Sequence, residues 1–206
     1  MNLVELHDVE VAYDGYEALR HADLEIASDD FLGVIGPNGG GKTTLVKAIL
    51  GTVAHTGRID YAPELYRGKE RLIGYMPQQS DFDRAFPISV EEVVLSGLQG
   101  RRGFGKRYTG EDRKKASELL EKAGIAEAAR HPIGEVSGGQ MQRALLCRAV
   151  IAEPRLLILD EPANFVDNRF ENELYNLLRE LNEQMAIVMV SHDVGTITSV
   201  VKEIVC

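Results

Sequence analysis

The chain has 206 residues and a formal net charge of −9, from 23 basic and 32 acidic residues. This length leaves room for one compact domain, and the acidic balance argues against a nucleic-acid binder and against direct adsorption to anionic lipid. The sequence has no apolar run of the roughly 20 residues that span a bilayer, no recognisable signal peptide and two cysteines that set no disulfide framework, so we expect a protein of the reducing cytoplasm.

The first residues predict a small antiparallel β region. Apolar and polar residues alternate in Leu3-Val-Glu-Leu and again in Thr56-Gly-Arg-Ile-Asp-Tyr, a period of two that is typical of strands with one buried face. We expect this β region to include about residues 1–30 and 55–70. Residues 31–35, by contrast, form a short apolar run that is typical of a buried core strand.

A glycine-dense loop, Gly36-Pro-Asn-Gly-Gly-Gly-Lys-Thr43, follows this strand and precedes an apolar helical face that stops at Gly51. Glycines let consecutive backbone N–H groups turn toward one phosphate, and the helix N-terminus adds partial positive charge. In such a loop Lys42 reaches the β- and γ-phosphates of a nucleotide, and the hydroxyl of Thr43 can ligate Mg²⁺. The spacing therefore predicts a phosphate-binding loop.

The middle of the chain, about residues 80–148, predicts a helical insertion. Ser89-Val-Glu-Glu92 and Thr109-Gly-Glu-Asp112 both resemble helix starts with capping boxes. After the second start, Ala116, Leu119, Leu120 and Ala123 recur at helical spacing, a stripe that normally packs inward. Between the two helices the basic segment 101–107 has two interpretations, a solvated loop or a contact with a partner or lipid headgroups.

Two short motifs follow in the last third of the chain. Val136-Ser-Gly-Gly-Gln140 precedes a predicted helix, so Ser137 and the glycine N–H groups can donate to an anion. The apolar strand 156–159 ends in Asp160 and Glu161, at the strand end where open α/β sheets bind ligands. There Asp160 can hold Mg²⁺ through water, while Glu161 stays free to polarise an attacking water.

A second apolar strand, Ala186-Ile-Val-Met-Val-Ser191, ends in His192. We expect His192 to lie at the same sheet edge as Asp160, because parallel strands end at a common edge. A histidine there can sense a γ-phosphate and stabilise charge in the transition state.

Taken together, these motifs resemble the ATP-binding subunit of an ABC transporter, in the family's order and over nearly the whole chain. The resemblance implies an α/β fold in a single domain, 1–206. This domain contains the antiparallel β subdomain and a helical ABC-specific subdomain at about 80–148, and the remaining residues form a P-loop NTPase (RecA-like) core. It implies that Tyr13 stacks on adenine, that Gln78 senses Mg²⁺ and couples to the membrane partner, and that Asp167 ends the D-loop. The catalytic residues implied are Lys42, Glu161 and His192, and the Mg²⁺ ligands are Thr43, Gln78 and Asp160. The nucleotide-binding residues implied are Tyr13, Gly36, Pro37, Asn38, Gly39, Gly40, Gly41, Lys42, Thr43, Thr44, Gln78, Val136, Ser137, Gly138, Gly139, Gln140 and Asp167.

The resemblance further implies how the protein works. Two head-to-tail copies share each ATP, because the segment 136–140 of one copy caps the γ-phosphate bound to the other. ATP and Mg²⁺ are the expected cofactors, and ATP is hydrolysed to ADP and phosphate. The expected partners are a second copy, integral membrane permease subunits and, indirectly, an extracytoplasmic solute-binding protein, with no nucleic acid. The expected location is the cytoplasmic face of the cell membrane, through the permease.

Several alternatives stay open at this stage. Tyr16 competes with Tyr13, and Gln79 with Gln78. The segment 86–98 resembles importers of zinc and manganese, but siderophore and cobalamin importers share part of it, and an efflux system is a further alternative. The histidines His7, His21, His55, His131 and His192 show no ligand spacing along the chain, so we expect the subunit not to bind the transported metal itself.

Three motif positions depart from the family pattern: Val136 replaces the usual leucine, Gly40 the usual alanine or serine, and 163–167 the usual D-loop. The chain also ends at Cys206, early for this family, which fits either a truncated chain or a naturally short subunit.

Overall fold

Two sheets of different kinds organise the fold. The computed structural model describes residues 1–68, 70–78, 87–102, 107–162, 168–192 and 201–205. Its strands are β1 (Asn2–Tyr13), β2 (Tyr16–Ala27), β3 (Phe31–Ile35), β4 (Thr56–Tyr61), β5 (Tyr66–Arg67), β6 (Glu70–Arg71), β7 (Ile73–Met76), β8 (Leu156–Asp160), β9 (Ala186–Ser191) and β10 (Glu203–Val205). Its α-helices are α1 (Lys42–Leu50), α2 (Val90–Ser96), α3 (Gln99–Arg102), α4 (Gly110–Lys122), α5 (Gly138–Val150) and α6 (Asn168–Asn182).

The first sheet is antiparallel, with strand order β2-β1-β4. Its inner face is apolar: Val4, Leu6 and Val9 on β1 are fully buried or nearly so. A two-residue turn joins β1 to β2, and both of its residues have positive φ, 47° at Asp14 and 85° at Gly15. An Asp-Gly pair suits this type I′ geometry, which matches the twist of the flanking strands. The alternation at 3–6 and 56–61 thus correctly predicted an antiparallel sheet.

The second sheet is parallel where its pairs are described, with strand order β10-β3-β9-β8-β7. All five residues of β8 are buried. Leu157 and Leu159 belong to one hydrophobic core, on the side of α2, α4 and α5, while Leu156 and Ile158 belong to a second core against α1 and the antiparallel sheet. A strand covered on both faces needs a continuous apolar run, and this confirms the interpretation of residues 156–160.

Two elements lie at the approximate subdomain boundaries. Residues 66–71 form a separate hairpin of β5 and β6 outside the three-stranded sheet, because a 3₁₀ turn at Pro63–Leu65, anchored by the fully buried Leu65, follows β4. Helix α5 continues to Val150, whose side chain is also buried.

The helices α2 and α4 begin at the capping residues that the sequence predicts. Ser89 and Thr109 cap α2 and α4, each in a capping box with the residue three positions on. Of the predicted stripe on α4, Ala116 and Leu120 are buried, as is the capping residue Ala123, which confirms an inward-facing stripe. Among the described residues, no helix has both the length and the apolar composition to cross a bilayer.

Candidate functional site

The phosphate loop lies between β3 and α1 and is held tightly against the antiparallel sheet. Gly41 immediately precedes α1 with φ of 84°, a conformation that favours glycine. A Cβ atom on Gly41 would lie only 2.5 Å from the carbonyl oxygen of Ala18 on β2, so glycine is required there for space as well as for backbone conformation. Lys42 is buried, and its Nζ donates to the carbonyl oxygens of Gly36 and Pro37 at 2.9 Å each. The lysine is therefore already folded over the loop.

Two residues predicted to hold Mg²⁺ meet beside the loop. The Thr43 hydroxyl, in the first turn of α1, donates to Oδ2 of Asp160 at the end of β8, at 3.1 Å. Burial raises the pKa of Asp160, as does the neighbouring Glu161, while the Thr43 hydrogen bond and Lys42 oppose the shift. A buried carboxylate and a hydroxyl are hard oxygen donors, so this pair fits a magnesium ion that retains several of its waters.

Glu161 occupies the centre of the site. Its backbone has φ of 52°, unusual for a residue with a side chain, and its N–H donates to Val190 on β9 at 2.9 Å. Its carboxylate accepts from Nε2 of Gln78 at 2.6 Å through Oε2, and Nδ1 of His192 lies 3.2 Å from Oε1. The fold thus brings together three predicted residues from the ends of three strands, β7, β8 and β9.

The aromatic candidates lie on the β1–β2 hairpin. Tyr13 and Tyr16 face each other across the turn, and both are exposed, at 41% and 65%. The same hairpin carries Ala18, whose carbonyl abuts Gly41. The structure therefore puts both tyrosines on an element that touches the phosphate loop.

The segment 136–140 includes the N-terminal cap of α5. Ser137 caps α5: its Oγ accepts from the Gln140 N–H at 3.2 Å, and the Gln140 side chain accepts from the Ser137 N–H at 3.0 Å. Gln140 also donates to Glu127 at 3.3 Å. Ser137 and Gly138 are exposed, and within the described ranges no hydrogen bond joins this segment to the loop. The start of α5 is therefore available to another molecule.

Some predicted residues lie outside the described ones, namely Gln79, the first residue of the segment 86–98, residues 103–106 of the basic segment, and the D-loop 163–167 with Asp167. One neighbour of the site was missed at the sequence level. Tyr75 lies on β7 opposite Ile158, two residues before Asp160, and burial together with the charge of Asp160 raises the pKa of its hydroxyl. The alternation of β7 could have indicated its side of the sheet, but only the pairing with β8 reveals its neighbour.

The chain is similar to known proteins over most of its length. The family model for ABC transporters matches residues 19–164. The chain is 39% identical over 207 residues to the zinc import ATP-binding protein ZnuC of Pseudomonas putida, covering 99% of this chain and 74% of the relative. It is 37% identical to the zinc uptake system ATP-binding protein ZurA of Listeria monocytogenes, covering 98% and 81%, and 35% identical to the manganese transport system ATP-binding protein MntB of Halalkalibacterium halodurans, covering 95% and 78%.

A solved structure is similar over the same length. It is the ADP conformation of an ATP-binding cassette of an ABC transporter, which aligns with a TM-score of 0.83 at 23% identity and covers 98% of this chain and 85% of that one. At 23% identity this similarity supports the fold alone.

Proposed function

Because the chain belongs to the ABC transporter family, we propose that it is the ATP-hydrolysing subunit of an importer that carries zinc or manganese into the cell. The observation that carries the choice of cargo is the likeness to relatives named for zinc and manganese transport over 95% or more of the chain. The ATPase activity rests on the cluster of Gln78, Glu161 and His192 beside the phosphate loop.

The loop residues would bind and neutralise the triphosphate. Lys42 would exchange its two backbone carbonyl acceptors for β- and γ-phosphate oxygens, a short movement since its Nζ already lies over the loop. Thr43, Asp160 and Gln78 would hold Mg²⁺, which when bound neutralises charge on the phosphates. Because the amide nitrogen of Gln78 donates to Glu161, its carbonyl oxygen is the atom left for the ion.

Glu161 would act on the attacking water. Its carboxylate is buried and held from both sides, so it can accept a proton from a water placed in line with the γ-phosphate. His192 would bind the γ-phosphate while keeping Glu161 in position. Tyr13 would stack on the adenine ring from the hairpin next to the loop.

A second copy would complete the site. Ser137 and Gly138 are exposed at the start of α5, and backbone N–H groups with the helix dipole form a binding place for phosphate oxygens. The γ-phosphate on one copy would therefore be capped by the segment 136–140 of the other, giving a twofold dimer with two ATP molecules. The dimer would act at the cytoplasmic face of the membrane through permease subunits, with a solute-binding protein delivering the metal outside.

Reconstitution tests the proposal. The subunit and the permease encoded beside its gene are placed in vesicles with ATP, and entry of free zinc, free manganese or a siderophore–metal complex is measured. We expect ATP-dependent entry of a free ion that is lost with Lys42→Ala. Entry of the chelate alone, or movement of the metal in the opposite direction, would overturn the assigned cargo while leaving the ATPase intact.

A further inference from the structure

The outer face of the antiparallel sheet carries an unusual row of acidic residues. Glu5 on β1 lies directly opposite Glu25 on β2 and directly opposite Asp60 on β4. Like charges directly opposite each other across strands are destabilising. The Asn2 amide reduces the repulsion between Glu5 and Glu25, because its Nδ2 donates to Oε1 of Glu5 at 3.0 Å and to Oε2 of Glu25 at 2.8 Å. Glu5 and Asp60 also lie directly opposite each other, and of these two only Asp60 pairs with an arginine, Arg58.

His7 faces this pair with an atom that has no hydrogen bond. Its Nε2 lies 3.5 Å from Oε2 of Glu5 and 3.5 Å from Oδ2 of Asp60. That nitrogen is buried and lacks a hydrogen-bond partner in the part of the chain that the structure describes, although 42% of the whole side chain is exposed. The exposed surface therefore belongs to other ring and Cβ atoms, and Nε2 is turned toward the two carboxylates.

The separations match those between the ligands of a metal ion. With zinc–nitrogen and zinc–oxygen distances of about 2.0–2.2 Å, two ligands of a tetrahedral ion lie roughly 3.4 Å apart. The three ligand atoms all lie within 4.8 Å of one another. We propose that Glu5, His7 and Asp60 bind a divalent transition-metal ion, zinc in preference to magnesium or calcium because one ligand is an imidazole.

Two neighbouring residues would hold these ligands in position. Asn2 fixes one oxygen of Glu5 and leaves the other for the ion. Arg58 also reaches Oδ2 of Asp60, with its Nε at 2.8 Å. A carboxylate offers about four lone-pair positions, so Asp60 can keep Arg58 while it ligates the ion.

A second cluster on the same face provides the contrast. His21 Nδ1 lies 2.6 Å from Oδ1 of Asp8 and 3.2 Å from Oε1 of Glu10. The shorter distance is that of a hydrogen bond, and these carboxylates raise the pKa of His21. The Nδ1 atom of His21 thus already has a hydrogen-bond partner in Asp8, which makes this cluster a control with the same residue types.

The site is separate from the nucleotide loop and does not depend on the proposed cargo. Its ligands come from β1 and β4, which are far apart in sequence, and that is why spacing along the chain gives no sign of them. Zinc binding at this site contradicts the expectation that the subunit does not bind the transported metal itself.

Zinc binding to the purified, nucleotide-free full chain, measured by competition with a chromophoric chelator, tests the proposal. We expect one site that is weakened more than about tenfold by His7→Ala and by the near-isosteric Asp60→Asn. Asn2→Ala should weaken it by about tenfold, because Asn2 orients the carboxylate of Glu5. His21→Ala and His55→Ala should leave it unchanged. Zinc should also raise the melting temperature of the parent but not of Asp60→Asn.

Equal zinc affinity in the parent, His7→Ala and Asp60→Asn would overturn the proposal, as would loss of binding in His21→Ala with retention in His7→Ala. Circular dichroism of each variant shows whether it folds. Because Asp60 is exposed and Asn keeps its shape, the Asp60→Asn variant keeps the test decisive even if His7→Ala is unstable.

Discussion

The amide of Gln78 donates a 2.6 Å hydrogen bond to the carboxylate of Glu161, from the loop after β7 to the end of the neighbouring strand β8. On its other side, Glu161 is 3.2 Å from Nδ1 of His192. The proposed catalytic carboxylate is therefore oriented by two loops at once. Any displacement of the Gln78 side chain would therefore change the position of the Glu161 carboxylate.

This arrangement predicts that Gln78→Ala impairs catalysis more than binding. Without the amide, Glu161 can rotate away from the line of attack, and a misplacement of about 1 Å can cost up to a hundredfold in rate. We expect kcat for ATP hydrolysis to fall by about ten- to a hundredfold, with little change in nucleotide affinity because Lys42 and the loop remain. Steady-state ATPase assays and binding of a fluorescent ATP analogue measure the two effects.

Glu161→Gln is the matched comparison for that experiment. It keeps the shape of the side chain but removes the base, so it should lose about a hundredfold or more in kcat and accumulate as an ATP-bound dimer on size exclusion. If Gln78→Ala hydrolysed ATP at the parental rate, the 2.6 Å contact would have no part in positioning Glu161.

Local chemical signals predicted the parts of the fold that depend on neighbours in sequence. The caps at Ser89 and Thr109, the turn of the phosphate loop and the buried strand before Asp160 all follow from a few adjacent residues. Pairings between distant strands could not be predicted in the same way. The Glu5–Asp60 register depends on how β1 aligns with β4, and a one-residue slip would turn one of the two side chains to the opposite face.

The candidate site, too, could be predicted from the sequence only in part. The motifs indicated that Gln78 and Glu161 belong together, but their direct hydrogen bond requires β7 and β8 to be neighbours in the sheet. The separate hairpin at 66–71 was missed for a related reason. Its direction depends on where Leu65 finds a buried position in the core, and alternation along the chain does not encode that position.

Two glycines of the phosphate loop allow steric crowding to be separated from backbone conformation. Gly39 and Gly41 have nearly equal φ values of 81° and 84°, but a Cβ atom on Gly39 meets nothing within 4 Å, whereas one on Gly41 would strike the Ala18 carbonyl. Gly39→Ala should lower the free energy of unfolding by about 1 kcal/mol, because alanine disfavours the positive φ of this position and meets no steric clash there. Gly41→Ala should cost about 1–3 kcal/mol more, through overpacking against β2.

Urea unfolding without nucleotide measures both changes. Equal losses in the two variants would mean that the loop can move away from β2 at no cost, and that the close approach of Ala18 does not hold the loop.

The thiol of Cys147 should be unreactive toward disulfide reagents in the folded protein. Its side chain is buried in α5, its Sγ lies 3.5 Å from the carbonyl of Leu119, and burial raises the pKa of the thiol to about 12. Because only the thiolate attacks a disulfide reagent, about one molecule in 10⁴ would be reactive at pH 8, even before access is considered.

Labelling with a chromogenic disulfide tests this in Cys206→Ser, which leaves Cys147 as the single thiol in the sequence. We expect the rate at pH 8 to rise more than a hundredfold when the protein is unfolded in guanidinium. A fast reaction in buffer alone would contradict the buried position of the side chain.

The cap of α2 predicts a stability that depends on pH. The Ser89 N–H and hydroxyl donate to Oε2 of Glu92 at 3.0 and 2.8 Å. These bonds, first from the backbone and then from the hydroxyl, lower the pKa of the Glu92 carboxyl, with a smaller contribution from Arg113 and an opposing one from burial. A carboxyl whose pKa is lower in the folded state than in the unfolded state stabilises the fold above its unfolded-state pKa. That contribution is lost as the pH falls through the folded-state pKa.

Replacing Glu92 by Gln removes the charge but keeps the capping geometry, because Gln also occurs at this position of a capping box. At pH 7 we expect Glu92→Gln to lower the free energy of unfolding by about 0.3–1 kcal/mol, the usual worth of a negative charge at a helix N-terminus. The difference from the parent should shrink once the pH is brought below about 4, near the ordinary pKa of Glu.

Glu91→Gln is the control, since Glu91 lies in the same first turn but pairs with Arg113 at 3.3 Å instead of capping. Its loss at pH 7 should be the smaller of the two. Urea titrations at several pH values between 3 and 7 measure both variants. A Glu92→Gln difference that stays constant on acidification would mean that the Glu92 charge does not stabilise α2, and that the cap acts through the geometry of its hydrogen bonds alone.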